Sequence, residues 1–446
     1  MGKYHLKALK SQTVKALKGT VQVPGDKSIS HRALMIGGLA IGETRINGLL
    51  EGEDVQATAK ALRALGVSVE KKDDAGWRVR GRGVGGLIEP DGVLDMGNSG
   101  TAARLLIGVL AAHPFSTTLS GDASLSSRPM NRVIEPLSLM GAVFQTRSNG
   151  RLPLNVTGLD DPLPIDYQLP VASAQVKSAI LLAGLAAAGV TRVVEPKPTR
   201  DHTELMLRHF GAVVDVEDLA EGGRVITVHG QPELNASDVT IPGDISSAAF
   251  PMVAALLIPG SKVTLPNVGI NPLRAGLMGT LRAMGAAIKL DNERTEAGEP
   301  VADMSIMGSA LRGVTVPAER APSMIDEYPV LAAAAACAEG TTRLEGLSEL
   351  RVKESDRLSG MARGLAACGV EVEEGEDFLV IHGSGSAPKG GALVETALDH
   401  RIAMAFLVLG MVCGDPITID DAGPIETSFP GFTGLMNGLG AHIEEV

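Results

Sequence analysis

Lysine and arginine recur in this chain at places where a helix would begin. In PGDKSISHRALM (24–35), Lys27, Ser28 and Arg32 fall in the first turns of a helix-like stretch. A helix N-terminus carries a partial positive charge and unpaired N–H groups, so a cation there is unfavourable, by about 0.3–1 kcal/mol, unless an anion joins it. Comparable positions supply Asn98, Ser99 and Gly100 in GNSGTAAR, Ser173 and Gln175 in SAQVK, Asp326 and Glu327 in IDEYP, and His400 and Arg401 in DHRIAMAF. Arg128 in SLSSRPM, Arg200 in TRDHTE, and Lys353, Glu354 and Arg357 in RVKESDR fall at the starts of second helices. A single cation of this kind reads as a solvated side chain. Several at equivalent positions predict a site for multiply charged anions, where helix N–H groups add to Arg forks and Lys point charges. Arg274 and Arg282 lie outside this pattern and read as solvated surface charge.

Asp326 and Glu354 are acids among these cations. Such a carboxylate stays ionised and can accept a proton from a substrate hydroxyl, while a second can relay a proton to or from carbon. Each also reads as a helix N-cap or an ion-pair partner, and both readings stay open. His31 reads as a packed helix residue, and His400, beside Arg401, as the better functional candidate. GRGVGG (81–86) fits a dinucleotide-binding GxGxxG, but LIEPDG follows it with an early proline and no helix, so no such site is expected. The nine histidines form no HExxH pair and no Walker pattern occurs, so neither metal nor cofactor is expected.

The elements that must position these residues repeat. An apolar residue, Gly, Ala or Val, then a short β-like stretch recurs at Gly66, Gly141, Gly211, Gly285, Gly369 and Gly440, roughly 70 to 84 residues apart. Glycine suits the left-handed position that ends a helix, so each copy closes a helix and opens a strand. Ahead of each glycine lies a polar start followed by a small-residue apolar helix, and a β-like stretch such as ETRING or STTLSG follows it. Helices apolar nearly all round must be buried, here enclosed by sheets. VQVPGDKSIS (21–30) echoes VTIPGDISSA (239–248), which predicts an α/β protein of two similar lobes with three units each. The expected division is 24–239 for the first lobe and 240–446 together with 1–23 for the second, the initial stretch either pairing with the second lobe or hanging free.

Composition narrows the class. At 446 residues the chain exceeds what one core usually serves. A net charge of −12 and 3% aromatics, with Trp77 the single tryptophan, argue against a nucleic-acid or anionic-membrane partner. Cys337, Cys368 and Cys413 lie in Ala- and Leu-rich runs and read as buried thiols. The N-terminus lacks a secretory pattern and the longest apolar runs are too short for a bilayer, so the expectation is a soluble cytoplasmic protein.

PGDKSISHRA, GNSGTAAR, SLSSRPM, RVKESDRL and DHRIAMAF, in this order, resemble the 5-enolpyruvylshikimate-3-phosphate (EPSP) synthase family over essentially the whole chain, and SAQVK and RDHTE resemble its class II branch, which includes glyphosate-tolerant bacterial members. The resemblance implies two lobes of three βαβαββ units, an inverse α/β barrel that closes on its ligands, usually monomeric. It implies transfer of the enolpyruvyl group of phosphoenolpyruvate to the 5-hydroxyl of shikimate 3-phosphate, by addition and elimination, without metal. By resemblance Lys27, Ser28, Arg32, Ser173, Ala174, Gln175, Arg200, Asp326 and Lys353 hold shikimate 3-phosphate. Lys27, Gly100, Arg128, Gln175, Arg357 and Arg401 hold phosphoenolpyruvate, with glyphosate as inhibitor. Asp326 accepts the hydroxyl proton, Glu354 handles the proton on the methylene carbon, and Lys27 is counted with them as catalytic. The chain departs from family patterns at Leu105, at Leu273 in NPLR, and at Thr427 and Ser428 in IETSFP, where many members have a lysine. Gly100 stands where tolerant class II members carry a methyl group, which implies greater glyphosate sensitivity. The sister enzyme acting on UDP-N-acetylglucosamine is the nearest rival, but GDASLSSRPM lacks that family's loop cysteine. A pure anion-binding protein would have no use for acids in a cationic cleft.

Overall fold

A computed structural model describes residues 7–72, 76–220 and 222–446. The chain forms two compact units: Gly25–Ile241 with Thr295–Glu299, and Met1–Pro24 with Pro242–Arg294 and Pro300–Val446. They are called here the first and second unit. Each has its own buried hydrophobic cluster.

The first unit contains α1 (Lys27–Leu39), α2 (Glu53–Ala64), α3 (Gly100–Leu110), α4 (Ala123–Ser127), α5 (Asn131–Leu139), α6 (Ala174–Gly184) and α7 (His202–His209). The second contains α8 (Ile245–Leu257), α9 (Gly276–Ala283), α10 (Tyr328–Cys337), α11 (Arg357–Ala367), α12 (His400–Gly410), α13 (Ile425–Ser428) and α14 (Phe432–Gly438). The described strands form six four-stranded sheets, three to a unit. Every sheet repeats one plan, in which a short strand lies parallel to a second, and the second is antiparallel to a third. Sequence-distant strands complete three of them. Val239–Thr240 pairs with Glu43–Asn47 in the first unit. In the second unit Leu9–Ser11 inserts between Ile417–Ile419 and Ile443–Glu445, and Lys18–Thr20 lies beside Lys262–Gly269.

The small-residue helices occupy the interior. In α12 every residue from His400 to Gly410 is buried, and in α8 every residue from Ile245 to Leu256. Such helices have no polar face to offer water, so sheets and other helices must cover them. Small side chains let them approach closely. A Cβ on Gly108 of α3 would lie 2.3 Å from the carbonyl oxygen of Ala179 in α6. The outer α2 is amphipathic instead, with Val55, Ala59 and Leu62 buried, acids in its first turn and Arg63 in its last. The six repeat glycines, Gly66, Gly141, Gly211, Gly285, Gly369 and Gly440, all have φ between 83° and 106°, a region that L side chains rarely adopt. Each follows the last turn of an outer helix and turns the chain into the next strand.

Candidate active site

In the first unit the N-termini of α1, α3 and α6 carry the sequence-singled residues. Asp26 caps α1 by accepting from the Ile29 amide at 2.9 Å. Lys27, next along, pairs with Asp54 at 3.1 Å. Arg32, one turn on, is buried and donates to the Ser28 carbonyl (2.9 Å), Thr203 Oγ1 (2.7 Å) and Ser178 Oγ (2.8 Å). Burial pulls its pKa down to about 10, against the pull of Glu204 and Asp26, and Arg200 pushes the same way as burial. Ser173 caps α6 by accepting from the Val176 amide, and Ala174 is that helix's first residue.

Gly100 opens α3, and an added Cβ there would lie 2.9 Å from Arg104 Nη1 and 3.3 Å from Arg128 Nη1. Arg128 donates to Asn98 Oδ1 (2.9 Å) and Ser124 Oγ (3.0 Å). Gln175 accepts from Arg104 Nη1 and donates to Thr101 Oγ1, both at 3.0 Å. Gly100, Arg128 and Gln175 thus meet around Arg104, a residue the sequence reading did not single out. Its signal was its place four residues after Gly100, on the same helix face. Burial, then Arg128 and Arg132, lower the Arg104 pKa to about 10, as expected where cations are crowded together.

Behind these residues α6 and α7 share a buried ion cluster. Lys177 Nζ lies 3.1 Å from Glu195 Oε2 and 2.7 Å from Glu204 Oε1. Glu195 also accepts from Thr199 Oγ1 at 2.6 Å, one residue before Arg200. Next to it, His202 Nδ1 lies 2.7 Å from Glu299 Oε1.

In the second unit Arg357 organises the acids. Its buried guanidinium donates to Asp399 Oδ2 (2.8 Å), Asp326 Oδ1 (3.3 Å) and Glu354 Oε2. Burial alone would favour neutral Arg357, but Glu354, Asp399 and Asp326 outweigh it and raise its pKa. Burial likewise raises the Glu354 pKa, yet Arg357 and then His400 overcome it and hold that carboxyl at about 2. Lys353 Nζ stands 3.5 Å from Asp326 Oδ1. The N-cap position of α10 is taken by Glu327, so Asp326 is an ion-pair partner and not the cap. Arg401 Nη1 donates to Ser246 Oγ (2.8 Å) and to the Asp326 carbonyl (3.0 Å). Asp399, unremarked in the sequence reading, caps α12 at the Arg401 amide (2.9 Å) while holding Arg357. An aspartate directly before an apolar helix was the available signal.

His31 is fully buried against Thr58 (2.8 Å), and burial lowers its pKa to about 3. His400 is also buried, and burial, then Arg401 and Arg357, hold it well below the usual imidazole range. Arg282 is exposed. Arg274 is not the surface charge the sequence suggested. Its side chain is buried, 3.6 Å from Asp244 and 3.5 Å from Glu327, because two buried acids at the starts of α8 and α10 need a cation.

The same architecture appears in the enolpyruvyl transferase NikO from Streptomyces tendae, with a TM-score of 0.78 over 99% of each chain at 17% identity, so the chain has the fold of an enolpyruvyl transferase. The family model of EPSP synthase (3-phosphoshikimate 1-carboxyvinyltransferase) matches residues 11–436, and the chain belongs to that family. It is 64% identical over 437 residues to a 3-phosphoshikimate 1-carboxyvinyltransferase of Paramagnetospirillum magneticum, covering 98% of each. The EPSP synthase structure from Acinetobacter baumannii matches with a TM-score of 0.90 at 47% identity, over 99% of this chain and 100% of that one. The activity is therefore enolpyruvyl transfer from phosphoenolpyruvate to the 5-hydroxyl of shikimate 3-phosphate, with release of phosphate, in the shikimate pathway.

Proposed function

We propose the following division of labour among the residues for this reaction. Lys27, Ser28, Arg32, Ser173, Ala174, Gln175, Arg200, Asp326 and Lys353 bind shikimate 3-phosphate. Lys27, Gly100, Arg128, Gln175, Arg357 and Arg401 bind phosphoenolpyruvate. Asp326 takes the proton of the 5-hydroxyl as its oxygen attacks C2 of phosphoenolpyruvate. Glu354, protonated from solvent, delivers that proton to C3 and takes one back when phosphate leaves C2, and Asp326 then gives its proton up to solvent. The observation that carries this reading is the joint hold of Arg357 on Asp326 and Glu354. While that hold lasts, Arg357 favours the ionised form of Glu354 and lies 3.3 Å from the Asp326 carboxyl that takes the hydroxyl proton. An anionic substrate engaging Arg357 weakens its pull on Glu354, which raises the carboxyl's proton affinity for the delivery step. Positioned cations supply the rest by gathering two anions in one orientation.

Glyphosate, itself anionic, would compete for the phosphoenolpyruvate residues. The protein acts as a cytoplasmic monomer in this reading. No helix among the described residues is long and apolar enough to cross a membrane.

Steady-state phosphate release tests the division. Each lost charged hydrogen bond is worth about 1.5–3 kcal/mol, or about tenfold to a hundredfold. R200M is expected to raise KM for shikimate 3-phosphate by that factor and leave KM for phosphoenolpyruvate nearly unchanged. R128M is expected to do the reverse. Equal shifts of both constants in either variant would refute the division.

A further inference from the structure

Four buried side chains of the second unit lead to Arg401 and are not used by the mechanism above. We propose that Glu327 and Ser246 are positioning residues that orient Arg401 for phosphoenolpyruvate, with Arg274 as the buried counter-charge. The proposal rests on the reading of Arg401 as a phosphoenolpyruvate ligand.

One hydroxyl proton sets the polarity of the relay. Ser246 Oγ donates to Glu327 Oε1 and accepts from Arg401 Nη1 at 2.8 Å. A hydroxyl has a single proton to give, and an ionised carboxylate can only accept. Glu327 therefore fixes the polarity of Ser246, leaving a lone pair for Arg401. Glu327 Oε2 is buried with no hydrogen-bond partner among the described residues, so the hydrogen-bonding strength of the carboxylate is concentrated on Ser246. Such a buried charge needs compensation, and Arg274 supplies it at 3.5 Å while reaching Asp244 at 3.6 Å. Asp244 accepts from the Ser246 amide at 2.8 Å, which fixes the serine backbone as well.

The outcome is a guanidinium held by one nitrogen. Every hydrogen bond that the Arg401 side chain makes among the described residues starts at Nη1, to Ser246 Oγ and to the Asp326 carbonyl. Nε and Nη2 form the other edge of the fork, the edge suited to a planar carboxylate. The relay also steadies Asp326, whose carbonyl Arg401 holds and whose neighbour is Glu327. Replacing the Glu327 carboxylate by an amide removes the polarity constraint, because an amide NH2 can donate to Ser246 and turn the serine proton toward Arg401.

The test is phosphate release by the full chain with S246A, E327Q, the double variant and R401M, with thermal denaturation of each. S246A and E327Q are each expected to raise KM for phosphoenolpyruvate about tenfold, the worth of one charged hydrogen bond, with KM for shikimate 3-phosphate within about twofold. The double variant is expected to be no worse than the more damaging single one, since both act through the same hydroxyl. If E327Q does not fold, S246A carries the same expectation alone. Additive effects, an unchanged phosphoenolpyruvate KM in S246A, or equal rises in both KM values would overturn the relay. A phosphoenolpyruvate KM unmoved in R401M would instead overturn the ligand role of Arg401, and the relay with it.

Discussion

Lys177 offers the sharpest quantitative test of how the first unit is built. Its ammonium lies 3.1 Å from Glu195 and 2.7 Å from Glu204, and the three side chains are at most 1% exposed. K177M would leave two carboxylates buried without their cation. Removing one partner of a buried pair costs about 3–5 kcal/mol, most of it the penalty of stranding the other charge. The loss must depend on pH. Burial already raises the Glu204 pKa above its ordinary 4.5, with Lys177 pulling it back down, so the variant raises it further. A carboxyl whose folded pKa exceeds its unfolded value binds a proton more readily in the native state. Its contribution to stability is therefore greatest below about pH 4.5 and is lost as pH rises through the folded pKa. The K177M deficit should accordingly be largest at neutral pH and shrink on acidification. Urea unfolding followed by the fluorescence of Trp77 reads this directly, because the single tryptophan is buried in the same unit. A deficit of about 3–5 kcal/mol is expected at pH 7.5. At pH 5 it should be smaller by at least about 1.4 kcal/mol, one pKa unit of linkage. A deficit below about 1 kcal/mol, or one equal at both pH values, would refute the reasoning.

Two further predictions follow from single contacts. In G100A the new methyl would stand 2.9 Å from Arg104 Nη1 and 3.3 Å from Arg128 Nη1, so the two guanidiniums must shift. Because one methyl in a tight pocket discriminates by about 1–3 kcal/mol, glyphosate inhibition should weaken about tenfold or more while KM for phosphoenolpyruvate rises less, and unchanged inhibition would sink the steric argument. Arg357 and His400 hold Glu354 at about 2 against burial. A depressed carboxyl stabilises the fold above its unfolded value of 4.5, and that contribution is lost as pH falls through about 2. A carbon-13 titration of Glu354 should show its midpoint below 3 and move it upward in R357M by more than about one unit, the effect of losing a close opposite charge. An unmoved midpoint would mean that Arg357 is not what holds it.

Much of this was legible in the sequence because it was repeated. Glycine at the end of six helices fixes where each helix stops, since few other residues adopt positive φ cheaply, and all six glycines have it. The buried helices announced themselves by lacking a polar face. The initial stretch was not legible. Leu9–Ser11 and Lys18–Thr20 are three residues each, and a strand that short is defined by the partners that accept it rather than by its own pattern. The polar residues divided in the same way. Cations at helix starts could be read because position alone makes them unusual. Arg274 could not, since nothing local shows that two acids distant in sequence, Asp244 and Glu327, will be buried beside it. Arg104 and Asp399 lay within quoted motifs but act through neighbours that only the folded chain supplies, Gln175 in one case and Arg357 in the other.

The proton-transfer assignment is tested most directly by phosphate release from phosphoenolpyruvate in wild type and D326N, with shikimate 3-phosphate supplied at saturation. Positioned proton transfer is worth about 10² to 10⁴ in rate, so D326N should release phosphate slower by that factor, and wild type should release none without the acceptor. A D326N rate within about tenfold of wild type would contradict the account, and the hydroxyl proton would have to go elsewhere.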